Sequence, residues 1–127
     1  MKTRFTIALA MFAGFGLGAV AVQGLHAQAN PPVYSVAQID IVDQAAYATY
    51  VPTAQAAIKA GGGKILVAGG KITAADGEPP KSRVVIQRWD SVEKFQAYRN
   101  SAAFRDLLPI REKVANFHTF VVEGVPQ

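Results

Sequence analysis

The run from Arg83 to Arg111 constrains this chain more than any other. Arg83-Val-Val-Ile-Gln-Arg-Trp89 is rich in β-branched and aromatic residues, which suit a packed, pleated surface. Directly after it, Asp90 offers a carboxylate to the free backbone N–H groups of a helix start, and Glu93 three residues on completes a capping box. Phe95, Tyr98 and Ala102 then recur at helical spacing as inward residues. Ser101 to Phe104 reads as a break before a second helix from about Arg105 to Ala115. Leu107, Ile110, Arg111 and Val114 line one side of that helix, and Pro109 is expected to shorten it. A strand joined this tightly to its helix forms the second half of a two-layer α/β domain.

The beginning of the chain is of another kind. Lys2 and Arg4 precede an uncharged, apolar stretch from Ile7 to Val22, and Ala27-Gln28-Ala29 supplies small residues at a signal-peptidase site. Basic, apolar, then small-x-small is the order of a secretory signal peptide, here residues 1–29. An uncleaved anchor is the alternative, since the run is only slightly short of the roughly 20 residues that span a bilayer. Without a cysteine there is no lipoprotein attachment point. Cleavage after Ala29 leaves Asn30–Gln127 as one domain, secreted or periplasmic, with no stable membrane anchor. It also removes Lys2 and Arg4, lowering the formal charge from +4 to +2, so the basic balance does not argue for a nucleic-acid partner. The remaining core is modest, and a second copy covering one sheet face would help it.

Along the mature chain, Val33 to Ile41 reads as a strand. Tyr34, Val36, Gln38 and Asp40 share one face, and Val33, Ser35, Ala37, Ile39 and Ile41 the other. Neither face is fully polar, which suggests that both are covered. Asp43 caps a helix reaching about Ala60, with Tyr47, Tyr50, Val51, Ala54 and Ile58 as its packed stripe. Pro52 lies inside it, so a kink or local break is expected near Ala48 and Thr49. Gly61-Gly62-Gly63 stops the helix. Lys64 to Ala68 is a short edge strand that Lys71 to Thr73 could extend, and Ala74 to Pro80 is a turn-rich loop. Asn116 to Glu123 closes the chain as a strand, alternating Phe117, Thr119 and Val121 against His118, Phe120 and Val122. The element order is βαββαβ.

Most chemical motifs are absent. The sequence holds no nucleotide-binding glycine pattern after a strand, no nucleophile elbow and no H-E-x-x-H. Thiolate zinc and iron–sulfur sites need cysteines that the chain lacks, and the single mature histidine, His118, cannot build a multi-histidine metal site. No cofactor and no metal are implied.

An early strand opening with Tyr34 is followed by Asp43, Tyr47 and Tyr50. After these come Gly62-Gly63, Gly69-Gly70, Arg83-Val-Val-Ile86, Trp89, Ser91, Tyr98, Ser101, Phe104 and Arg111. In this order and spacing, the chain from Tyr34 to Gly124 resembles the DUF1330 family of small bacterial proteins. The resemblance implies an α+β, ferredoxin-like βαββαβ sandwich that pairs through its open sheet face into a dimeric α/β barrel. It implies no established activity. The sequence departs from the family pattern at Arg88-Trp89, where a Glu-Phe pair is usual, and at Phe104, where a tyrosine is usual.

Candidate ligand-binding residues are Gln38, Asp40, Tyr50, Arg88, Trp89 and Arg111. Gln38 and Asp40 share a strand face and could hold a ligand's polar end inside the barrel, or could pair with Arg83, Arg88 or Arg111 for structure alone. Arg88 stands at a strand end, where its planar fork could hold a carboxylate or phosphate, or form an edge salt bridge. Trp89, Tyr98, Tyr47 and Tyr50 read chiefly as core or interface aromatics. Arg111 is the charge most expected to be partly buried and paired, whereas Arg99, Arg105, Lys94 and Lys113 look like solvated helix surface. His118 and Asp40 are the weak candidates for proton transfer or, for His118, haem ligation. Three functions remain open: a homodimeric small-ligand binder, a cofactor-independent isomerase, lyase or oxygenase, and a structural interaction module. Gln38, Asp40, Gln87 and His118 lining one enclosed cavity would favour the first two.

Overall fold

The computed structural model describes residues 31–126. The expected signal peptide and its cleavage site lie outside the described residues. Among the described residues, no helix is long and apolar enough to cross a membrane.

The domain, Pro32–Val125, is a four-stranded antiparallel sheet with helices against one face. In chain order the elements are β1 (Val33–Ile41), α1 (Gln44–Ala60), β2 (Lys64–Ala68), β3 (Arg83–Trp89), α2 (Val92–Arg99), α3 (Ala102–Arg105), α4 (Leu108–Val114) and β4 (Ala115–Glu123). The strands lie in the order β2-β3-β1-β4, which makes the fold an α+β ferredoxin-like sandwich.

Period-two patterning sets the register. Val33, Ser35, Ala37 and Ile39 of β1 are buried beneath the helices, while Tyr34, Val36 and Gln38 between them are half-buried and Asp40 is exposed. Pairing carries this division outward. Trp89, Gln87, Val85 and Arg83 of β3 stand beside the buried set, as do Ala115, Phe117, Thr119 and Val121 of β4. The opposite face, free of helices, carries Val36 between Ile86 and Phe120, and Tyr34 beside Val122. Edge strand β2 bulges at Leu66 between the pairs Ile65–Gln87 and Val67–Ile86, an irregularity common at sheet edges.

Local chemistry explains the helix ends. Asp43 caps α1 by accepting a hydrogen bond from the Ala46 N–H at 3.0 Å. At the other end, Gly62 N–H donates to the Lys59 carbonyl and Gly63 N–H to the Ile58 carbonyl, with Gly62 at φ 99°. That pair of bonds around a left-handed residue is a Schellman motif, which only glycine enters without cost. Gly63 has a second constraint, because a Cβ there would lie 2.6 Å from the Trp89 indole and 2.8 Å from Ile58. Tight packing of α1 on β3 therefore requires glycine.

Five expectations change. Helix α1 is continuous through Ala48, Thr49 and Pro52, so the local break is absent. The hydrogen bond that Pro52 cannot donate is outweighed by burial of Tyr47, Ala54 and Ile58 on the helix's inner stripe. Ser91, not Asp90, caps α2 by accepting from the Lys94 N–H at 3.2 Å, while Asp90 turns back to accept from Arg88. The stretch Ser101–Phe104 is no break: Ser101 donates to the Tyr98 carbonyl at 2.6 Å and accepts from the Phe104 N–H, opening the extra turn α3. Lys71–Thr73 does not extend β2 but belongs to an exposed loop, and Ile110 faces solvent. Pro109 sits in the first turn of α4, where its missing donor is harmless.

The core forms two clusters. One gathers Val33, Ile58, Trp89, Tyr98 and Phe104, and the other Ala37, Ile39, Tyr47, Val114 and Ala115. Trp89 is 0 % exposed, lies 4.9 Å from Tyr98 between ring centroids, and donates its indole N–H to Gln87 Oε1 at 3.0 Å.

Candidate functional site

Between the helices and the sheet, where the two clusters meet, lies a cavity of about 70 Å³. At roughly 10–15 Å³ per water on this measure, it has room for a handful of waters or one small ring. Its walls are aromatic. Tyr47 and Tyr50 come from α1, Tyr98 from α2, Phe104 from α3 and Phe117 from β4. Tyr47, Tyr50 and Phe117 form a chain with centroid separations of 5.9 and 6.2 Å, and Tyr98 meets Phe104 edge-on at 5.3 Å.

Three arginines also line this cavity, and among the described residues no aspartate or glutamate does. Arg111, on α4, holds its guanidinium carbon 3.7 Å from the Phe117 ring centroid and 5.3 Å from that of Phe104. Arg99, at the end of α2, stands 4.3 Å from the same Phe104 centroid. Arg83, from β3, lies 5.4 Å from Tyr47 and donates to the Ala68 carbonyl at 3.0 Å. Gly69 beside it takes φ 73°, a left-handed conformation that favours glycine. Among the described residues none of the three is paired with a carboxylate, and the recorded ion pair is Arg88–Asp90 at 3.0 Å. Cation–π contacts supply their partners instead.

Electrostatics follow from burial. Desolvation pushes the Tyr98 hydroxyl up to about 12, reinforced by neighbouring Tyr50. Tyr50 is also raised by burial, although the charge and hydrogen bonding of Arg111 oppose the shift. Arg99 is lowered, first by desolvation and then by the like charge of Arg111. At neutral pH the cavity therefore combines neutral phenols with guanidinium cations.

The sequence-selected residues divide between the two sheet faces. Tyr50 and Arg111 line the cavity. Gln38, Asp40 and Arg88 stand on the helix-free face, where Asp40 accepts a 2.6 Å hydrogen bond from Ser82 and Arg88 pairs with Asp90. Thus Asp40 is bound by none of the three arginines proposed for it. Trp89 is sealed in the core and has no surface to offer a ligand. The four polar residues expected around one enclosed cavity do not share a face: Gln87 points to the helices, while Gln38, Asp40 and His118 point away. Asp40 and His118 instead line a second pocket, with Arg111, Glu112 and Asn116. Among the described residues, no group of three or more His, Cys, Asp or Glu side chains is placed to hold a metal ion.

Sequence reading missed Arg83, Arg99 and Thr119 as cavity residues. Arg99 carried one usable signal, its position four residues after Phe95 on a helix, where side chains meet.

Comparison with known proteins places the chain. The family model described as a domain of unknown function, DUF1330, matches residues 32–125. The chain belongs to the DUF1330 family. No curated protein matches it. Among solved structures, a protein of unknown function from Rhodopseudomonas palustris is similar with a TM-score of 0.59 at 16% identity, covering 77% of this chain and 85% of that one. A dimeric ferredoxin-like protein of unknown function from Thermobifida fusca is similar with a TM-score of 0.53 at 11% identity, covering 75% and 92%. SnoaB, a cofactor-independent oxygenase from Streptomyces nogalater, reaches a TM-score of 0.52 at 10% identity, covering 76% and 96%. At such identities these likenesses speak for the fold alone.

Proposed function

We propose that this DUF1330 protein is an exported homodimer that binds a small molecule in the cavity between its helices and its sheet. The observation that carries the reading is that cavity: a small aromatic chamber whose guanidinium groups have no carboxylate partners among the described residues. Ligand sites are concave and largely apolar, with a few convergent polar groups, and this lining has that composition. The dimer is supported by the helix-free face, where Phe120 and Val122 are 54% and 51% exposed beside Val36 and Ile86. A row of apolar side chains across an open sheet is a surface that a second copy would cover, and the similar Thermobifida protein is described as dimeric. Export rests on the basic, apolar and small-residue order of residues 1–29.

Native mass spectrometry of protein taken from the exported fraction, without refolding, tests all three parts. The expected species is a dimer of the chain beginning near Asn30, carrying a releasable small mass. A monomer would remove the dimer, an intact leader would remove the cleavage site, and a dimer with no releasable mass in any preparation would remove the resident ligand.

A second reading is a cofactor-independent enzyme using Asp40 or His118. The observation favouring it is that these two residues share a pocket with Arg111 and Glu112. Once a turnover is found, His118→Ala or Asp40→Asn should abolish rate while leaving ligand affinity intact. Equal loss of both would make these residues part of a binding surface.

A further inference from the structure

The cavity holds more unmet polarity than its arginine count alone conveys. Arg99 and Arg111 reach it from different helices and both stand against Phe104, at 4.3 and 5.3 Å from its ring centroid. Two half-buried guanidinium groups gathered around one ring repel each other unless an anion lies between them. The aromatic faces ease the desolvation of each cation but do not cancel the second charge. Tyr50 meets part of the need of Arg111 through its hydroxyl; nothing comparable serves Arg99. On the sheet side, two buried polar atoms lack any hydrogen-bond partner, Arg83 Nε and Thr119 Oγ1. Both residues line this cavity. Orphaned buried donors and acceptors are rare in folded proteins, and each asks for a partner that completes it.

From this arrangement, and resting on the cavity reading above, we infer that the ligand is a single-ring aromatic carboxylate bearing a ring hydroxyl. Its carboxylate bridges Arg99 and Arg111, and its hydroxyl turns toward Thr119 and Arg83. Guanidinium forks match a planar carboxylate in geometry and charge. The ring occupies the cavity that Tyr47, Tyr50 and Phe117 help to line, whose volume of about 70 Å³ has room for one small ring. A cationic ligand is disfavoured by three guanidinium groups without a facing carboxylate. An inorganic anion would meet the charge but leave the aromatic walls and the sheet-side atoms unserved.

Isothermal titration of the mature dimer with para-hydroxybenzoate and with its neutral isostere para-hydroxybenzamide tests the inference. The acid should bind at least about tenfold more tightly, the minimum that one charge-assisted contact is worth. That preference should collapse toward one in Arg99→Gln and in Arg111→Gln. Arg99→Lys, which keeps the charge but loses the fork, should retain an intermediate preference, so a misfolded glutamine variant would not end the test. Inorganic phosphate should compete only weakly. If acid and amide bind equally to the wild type, the anion assignment is overturned while the cavity reading survives. If phosphate competes as well as the acid, the aromatic assignment is overturned instead. If neither ring compound binds, the inference falls, and the cavity reading then stands or falls on whether native mass spectrometry finds a releasable mass.

Discussion

The two faces of this sheet are made by alternate residues of the same strands, yet they solve opposite problems. Beneath the helices, Val33, Ser35, Ala37 and Ile39 are all buried, with rings interlocked around Trp89 over Val33 and the small aromatic cavity over the other three. On the other side, Tyr34, Val36, Ile86, Phe120 and Val122 form an apolar row that no element among the described residues covers. Polar chemistry follows the same division. The covered face keeps cations away from carboxylates and sets them against rings, whereas the helix-free face satisfies Arg88 with Asp90 and Asp40 with Ser82. On the proposed function, stability and a ligand's demands are concentrated on one side, and association on the other. A substitution on the covered face should act on folding; one on the helix-free face should act on assembly.

The largest effect is expected at Trp89. Replacing it with alanine removes the ring that touches Tyr98 and Phe95 and leaves a void in a fully buried site. Chemical denaturation should report a loss of about 3–5 kcal/mol, enough to unfold a domain of this size at moderate temperature. A loss below about 1 kcal/mol would mean that Trp89 is not the keystone of its cluster.

Phe120→Asp applies the same logic to the helix-free face. Phe120 is more than half exposed in one chain, so its loss costs the monomer little. Placing a charge opposite its own symmetry mate in a dimer seam is costly. Size-exclusion chromatography with light scattering should show a shift from dimer to monomer with an unchanged far-ultraviolet spectrum. A variant that stays dimeric would place the seam elsewhere and break the contrast between the faces.

Much of this was legible beforehand, and the reason is periodicity. A strict alternation of side chains admits one assignment of faces in β1 and β4, and three consecutive glycines after a helical stripe admit few ways to continue. The element order and the opposed directions of Arg88 and Trp89 follow from the same two periods. What periodicity does not convey is where a long side chain ends. Arg99 reads as helix surface because its Cα is near the surface, but its guanidinium lies back over Phe104. Likewise, sequence alternation separates Gln87 from Gln38 only when the register of β3 against β1 is known, because both lie on strands whose two faces carry apolar residues. For that reason the sequence does not point to the cavity on the helix side of the sheet.

A smaller effect concerns protonation. Burial raises the Tyr98 hydroxyl to about 12 while the unfolded chain titrates near 10. The folded state therefore holds a proton that the unfolded state releases between these values. The stability derived from this neutral, buried phenol is complete below about pH 10 and is lost as pH rises toward 12. Denaturation midpoints followed across this window should fall more steeply for the wild type than for Tyr98→Phe. Parallel curves would mean that alkaline unfolding is governed by other groups, Tyr50 first among them.

The smallest effect separates two neighbouring residues at the junction of the faces. Asp90 and Ser91 are both good capping residues by type, and the sequence alone favoured the first. In the fold, Asp90 leans back to Arg88 on the helix-free side in an exposed ion pair, whereas Ser91 serves the helix above the covered side. Exposed pairs of this kind contribute about 0–1 kcal/mol, because solvent screens the charges and two flexible side chains must be held still. A serine cap, by contrast, completes a backbone donor that has no other partner, and its loss costs about 1 kcal/mol. Ser91→Ala should therefore lower the denaturation midpoint more than Asp90→Ala, and the deficit should persist in high salt, which would erase whatever Asp90 contributes. The reverse ranking would restore Asp90 as the cap and move the start of α2 one residue toward β3.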